Sequence, residues 1–183
     1  YAIQDMRGYN GKPEIVNSKQ FDSLMAAGGH IEVLRGVTGH GNITAKDMAE
    51  EFRKGVHFPG HGVFGSGTYA DSTKGYGNAA TSNYGIGGEV MRIALPKNAK
   101  IIKESDIEDA MSDRPDFFKG YGHGGSGRNC WLGVQAALAG YDAIYVDGKS
   151  KFCPGYGKGY YVILNRSILT VQDEAVPKSY VIT

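Results

Sequence analysis

"GVFGSGTYAD", residues 62–71, sets Gly62, Gly65 and Gly67 directly ahead of Thr68 and Tyr69. Glycine weakens a strand interior, yet here it leads straight into residues that read as a strand. A glycine-rich approach of this kind marks a backbone that comes close to something. What it approaches decides how the rest of the chain is read.

Upstream, NSKQFDSLMAAG (17–28) predicts a short helix capped by Asn17 or Ser18. Phe21, Leu24 and Met25 form its apolar face, and Gly28 ends it. HIEVLRGV (30–37) alternates as a half-buried strand does. TAKDMAEEFRKG (44–55) predicts a second helix, with Thr44 as N-cap, Met48, Ala49 and Phe52 facing inward and Gly55 closing it. Downstream, EVMRIALP (89–96) is a strand ended by Pro96, and AKIIK (99–103) extends the sheet. Ser105, with Glu108 three residues on, has the pattern of a capping box. GRNCWLGVQAALAG (127–140) is the most helical part of the second half. DAIYV (142–146) and YYVILNRSILTV (160–171) are the last strands. Successive strands with few crossover helices point to an α+β fold with antiparallel sheets, not a doubly wound parallel sheet. Residues 1–16 read as an N-terminal extension or linker, and 17–183 as a single domain.

At 183 residues the chain suits one domain, able to bury about 70% of its unfolded surface without disulfides. Twenty basic and 19 acidic residues leave a net charge of +1, so no global charge argues for nucleic acid or a membrane. No apolar run approaches the ~20 residues of a membrane helix, and no signal peptide is present. The start at Tyr1 reads as a fragment or processed domain whose targeting segment is missing. Cys130 and Cys153 are too few for a metal site or a disulfide scaffold, and spacing does not decide whether they pair. The five histidines show no metal-ligand spacing. Glycine is the outlier at 28 residues, clustered in 55–88 and 120–127 without a repeat, which argues for functional or tightly turning loops. GYGHGGSG (120–127) lacks the Gly-Lys-Ser/Thr ending of a phosphate loop and reads as a loop.

Four pieces then line up in order: Arg35 and Gly36 in EVLRGV, the glycine-rich stretch ending at Tyr69, AATSNYG (79–85), and GYYVILNRS (159–167). Together they resemble the ADP-ribosyltransferase superfamily over roughly residues 31–172. GSGTYAD…ATSNYG is similar to the polymerase segment in which a glycine-flanked YFAD strand leads into a KSANY helix. Arg35 is similar to the first-strand arginine of bacterial toxin-type transferases, and GYDAIYV…YYVILNRSIL resembles their last strands. LRGV with G-x-G-T-Y also resembles phage-encoded domains of this superfamily. The resemblance implies a split antiparallel β-core with flanking short helices, NAD as substrate, and a protein or RNA acceptor or water. It further implies a toxin or phage effector delivered or secreted within a larger protein, acting in a target cytoplasm, with an immunity or inhibitor protein as partner if a toxin.

The residue types suit that chemistry. Arg35 offers a fixed fork of donors for phosphate or ribose. Gly36, Gly67 and Thr68 would let the dinucleotide lie against the backbone. Tyr69 and Tyr84 would wall the nicotinamide, and Thr81 or Ser82 would bond its amide. Such a clamp favours breaking the N-glycosidic bond through an oxocarbenium-like transition state that a carboxylate stabilises. Each member also has a plain reading: Arg35 as a surface ion-pair residue, the tyrosines as half-buried core, the glycines as turns.

One position departs from the pattern. The catalytic glutamate of the superfamily falls on Tyr160, which carries no negative charge near neutral pH. Asp147 in YVDGKS is the first substitute for that acid, with Asp71 and Glu89 behind it, unless Tyr160 and Asn165 act without a carboxylate. The alternative is a catalytically inactive binding module on a virion or secreted protein. RNA-directed chemistry is a further reading, encouraged by Lys149, Lys151, Lys158 and Arg166.

Overall fold

The near-continuous apolar run of EVMRIALP suits a strand covered on both faces. It forms β6 (Glu89–Pro96), in which all of Val90–Leu95 is buried. The computed structural model describes residues 2–56, 61–62, 64–71, 88–112, 126–149 and 159–176. β6 runs antiparallel to β2 (His30–Val37), from His30 opposite Pro96 to Val37 opposite Glu89. With them lie β1 (Glu14–Val16), β5 (Thr68–Asp71), β7 (Ile101–Lys103), β8 (Ala143–Val146), β9 (Tyr160–Ile163) and β10 (Thr170–Gln172). The spatial order is β1-β10-β6-β2-β5-β9-β8-β7, and β3 (His61–Gly62) and β4 (Gly65–Ser66) make a separate small hairpin.

The α+β class expected from the sequence is therefore present, but the sheet is mixed, not antiparallel throughout. β1 runs parallel to β10, and β7 parallel to β8. A parallel pair needs a long crossover, and between β7 and β8 the chain carries α4 (Glu104–Ser112) and α5 (Ser126–Leu138). The centre of the sheet is thinly joined. β2 and β5 share the single registered pair Leu34 with Asp71. Beyond it, Arg35–Val37 are registered on β6, whereas Ala70, Tyr69 and Thr68 are registered on β9.

Local chemistry sets the early helices. α2 (Ser18–Ala26) has Asn17 as N-cap and a capping box with Gln20, and α3 (Ala45–Lys54) has the same device from Thr44 and Asp47. Gly55 closes α3 in the left-handed region that favours glycine, at φ 76°. On α3, Ala49 and Phe52 are buried; on α2 only Phe21 is, with Leu24 and Met25 half-exposed. Ser105 is not a cap. It lies inside α4, and its hydroxyl donates to Asp147 Oδ2 at 2.8 Å, a partner 42 residues away that no local pattern could show.

YYVILNRSILTV is two strands, not one. Asn165 breaks it: its Oδ1 accepts from the Ser167 N–H at 3.2 Å and its hydroxyl at 2.6 Å, and its Nδ2 donates to Asp142 at 2.7 Å. The resulting 3-10 turn, Arg166–Ile168, buries Arg166. That guanidinium donates to the carbonyls of Gly11 at 3.1 Å, Val56 at 2.6 Å, Gly55 at 2.8 Å and Asn10. Residues 1–16, expected as an extension or linker, thus supply α1 (Ala2–Met6), β1 and two of these carbonyls.

A lysine at 166 keeps the charge but cannot reproduce the fork. Arg166→Lys should lower the unfolding free energy by about 2–4 kcal/mol, since buried carbonyls lose their charged donor. Urea denaturation measures this, and a loss below about 0.5 kcal/mol would contradict the clamp.

Candidate functional site

Gly67 answers the question of what the glycine run approaches. A Cβ there would meet Val162 Cγ1 at 2.8 Å and the Ile163 carbonyl oxygen at 3.2 Å, so its close neighbour is β9 of the same chain. This packing against β9 gives Gly67 a structural reason apart from the expected dinucleotide. Phe64, at the hairpin between β3 and β4, is fully buried, and its carbonyl oxygen would lie 2.2 Å from a Cβ at Gly133 of α5. The Tyr69 hydroxyl accepts from the Phe64 N–H at 2.9 Å. Tyr69 therefore pins the hairpin that packs on α5, a role separate from any ligand.

Alternation divides the expected site between the two faces of the sheet. Arg35 stands with Val33, Val37, Ala70 and Met91 on the face covered by α3. Tyr69 and Tyr160 stand on the other face under α5, with ring centroids 6.4 Å apart. Past the Leu34–Asp71 pair, antiparallel order sets Arg35 level with Ala70 and Gly36 level with Tyr69. Thr68 is buried opposite Ile163. Thr81, Ser82 and Tyr84 lie outside the described residues, as do Cys153, Lys151 and Lys158.

Arg35 is 6% exposed, which removes the plain reading of a surface ion pair. Its guanidinium carbon lies 5.3 Å from the ring centre of Phe52, and that of Arg166 lies 5.6 Å from the same ring. Each contact has cation–π geometry. Burial lowers the Arg35 pKa to about 10, the like charge of Arg166 pushes the same way, and Tyr69 acts against both. Arg35 therefore remains protonated at neutral pH. Phe52 was legible as a core residue, but nothing in its spacing showed that it carries two arginines.

Asp147 does not join this group. It is one residue past β8, and β5 and β9 separate β8 from β2. At strand spacing that is about 14 Å sideways from Arg35. Burial pushes the Asp147 carboxyl up, but the Ser105 hydroxyl, the Lys149 N–H and the Lys149 charge outweigh it and hold it below its ordinary value. Asp147 is thus ionised at pH 7, the state a charge-stabilising carboxylate needs, but it stands away from Arg35. The carboxylate beside Tyr160 is Asp71, its registered partner on β5 and wholly buried. Glu89 lines a groove of about 680 Å³ with Lys46, Glu50, Arg53, Asp173 and Glu174. Burial lowers the Arg53 pKa, and Glu89 is the strongest of the carboxylates that counter it. Between Thr68, Gly67, Phe52 and Arg166 there is a cavity of about 20 Å³, room for one water. Among the described residues, no group of three or more histidines, cysteines or acids could hold a metal ion, and no helix is long and apolar enough to cross a membrane.

Gly67→Ala tests the packing role. Its Cβ would press on a backbone carbonyl that cannot swing away, so a loss of about 1–3 kcal/mol is expected in urea denaturation without any ligand. Unchanged stability would mean that β9 is not what this glycine accommodates.

No protein-family model, no curated protein and no solved structure matches this chain.

Proposed function

We propose that the chain binds NAD and cleaves its N-glycosidic bond, passing ADP-ribose to a macromolecular acceptor or to water. The observation that carries the reading is Arg35: a buried guanidinium beside a second cation, one residue past the single pair that joins the two halves of the sheet. A dianionic pyrophosphate is the kind of group that a planar fork of guanidinium donors matches. Gly36 stands level with Tyr69 past the Leu34–Asp71 pair, and Tyr69 is the ring this reading assigns to the nicotinamide. Asp71 replaces Asp147 as the acid of this reading: both neighbour Tyr160, where the resemblance expects a glutamate, but Asp71 does so from β5, the strand next to β2.

A second reading keeps the pocket and drops the reaction. It is favoured by Tyr160 in the acid position and by the complete burial of Asp71. A carboxylate can stabilise developing positive charge only where it faces it.

Nicotinamide release from NAD by the full chain separates the two. Release by the wild type, reduced about 100-fold or more in Arg35→Ala and in Asp71→Asn, is the expected result. Release by the wild type that both variants retain would move the chemistry away from this group. No release, with NAD still bound, would favour the second reading.

A further inference from the structure

A row of side chains crosses the sheet on the face of Arg35. Tyr145 on β8 is registered with Tyr161 on β9, and their rings stand 5.0 Å apart at 49°. Tyr161 is registered in turn with Ala70 on β5, and Tyr145 with Lys103 on β7. With Arg35 level with Ala70, the row reads Lys103, Tyr145, Tyr161, Ala70, Arg35. It spans four strand spacings, about 19 Å. Ala70 and Arg35 form the buried end of this row, and Tyr161 and Tyr145 the more open one.

The two rings are half-buried, whereas Lys103 and Lys149 at the β7–β8 end are exposed. Asp147, beside them, already accepts from the Ser105 hydroxyl and the Lys149 N–H. Burial pushes the Tyr161 phenol up, and Tyr145 adds to this, so its oxygen carries no charge that would repel a phosphate. Two adjacent aromatic rings bounded by cations supply what a single strand of nucleic acid needs: π-faces for successive bases and positive charge for the backbone. An apolar protein partner would desolvate Lys103, whereas the Lys149 charge already acts on Asp147.

We propose that the Tyr145–Tyr161 pair and Lys103 form a docking surface for single-stranded nucleic acid. The surface is independent of the NAD reading, and its test needs no NAD. Fluorescence anisotropy with labelled oligouridylate and oligodeoxythymidylate, on the full chain at about 50 and 200 mM salt, is the experiment. The wild type should bind, more weakly at the higher salt. Tyr145→Ala should weaken binding about 5- to 100-fold through the lost stacking, while Tyr145→Phe retains it. Lys103→Ala, at an exposed position, should reduce the salt slope by about 0.7. No binding by the wild type at low salt would overturn the proposal. So would equal binding by the wild type, Tyr145→Ala and Lys103→Ala, which would place the strand elsewhere. Loss in Tyr145→Phe as great as in Tyr145→Ala would overturn the stacking role.

Discussion

The fold turns on one buried cation. Arg166 reaches the carbonyls of Asn10, Gly11, Gly55 and Val56 from the turn between β9 and β10. It therefore ties the N-terminal segment, the end of α3 and the end of β9 at one point. A guanidinium can do this because its five donors lie in one rigid plane, and because hydrogen bonds to charged donors are worth about 1.5–3 kcal/mol each. The same group lies against Phe52, which fixes the face of α3 turned to the sheet. The buried guanidinium of Arg35 lies 5.3 Å from the centre of the same ring. Local stability and the candidate site thus share a single aromatic side chain.

What was legible in the sequence was what local chemistry decides. Thr44 with Asp47 and Gly55 bound α3 as expected, because a cap and a left-handed glycine act within one turn of the helix. The run in EVMRIALP gave the central strand for the same reason. What was not legible depends on which distant segments meet. Ser105 has a capping pattern but binds Asp147, and the glycine at position 67 answers to Val162 and Ile163, almost a hundred residues on. Asn-Arg-Ser looked like part of a strand and is a turn that staples three segments.

The candidate site divides in the same way. Arg35 could be singled out through its resemblance to the first-strand arginine of toxin-type transferases, as one of four pieces in order. Its burial and its cationic neighbour came only from the tertiary structure. Asp147 was close to Tyr160 by loop and strand order, but strand order in the sheet puts two strands between it and β2. Register, not sequence separation, brings Asp71 to Tyr160.

Calorimetric titration of NAD into the wild type and into Arg35→Lys tests the central claim most directly, with urea midpoints recorded for both. The account predicts binding by the wild type and a loss of about 10- to 100-fold in the variant, because lysine keeps the charge but not the fork. No heat of binding with the folded wild type, or equal affinity in a folded Arg35→Lys, would contradict it.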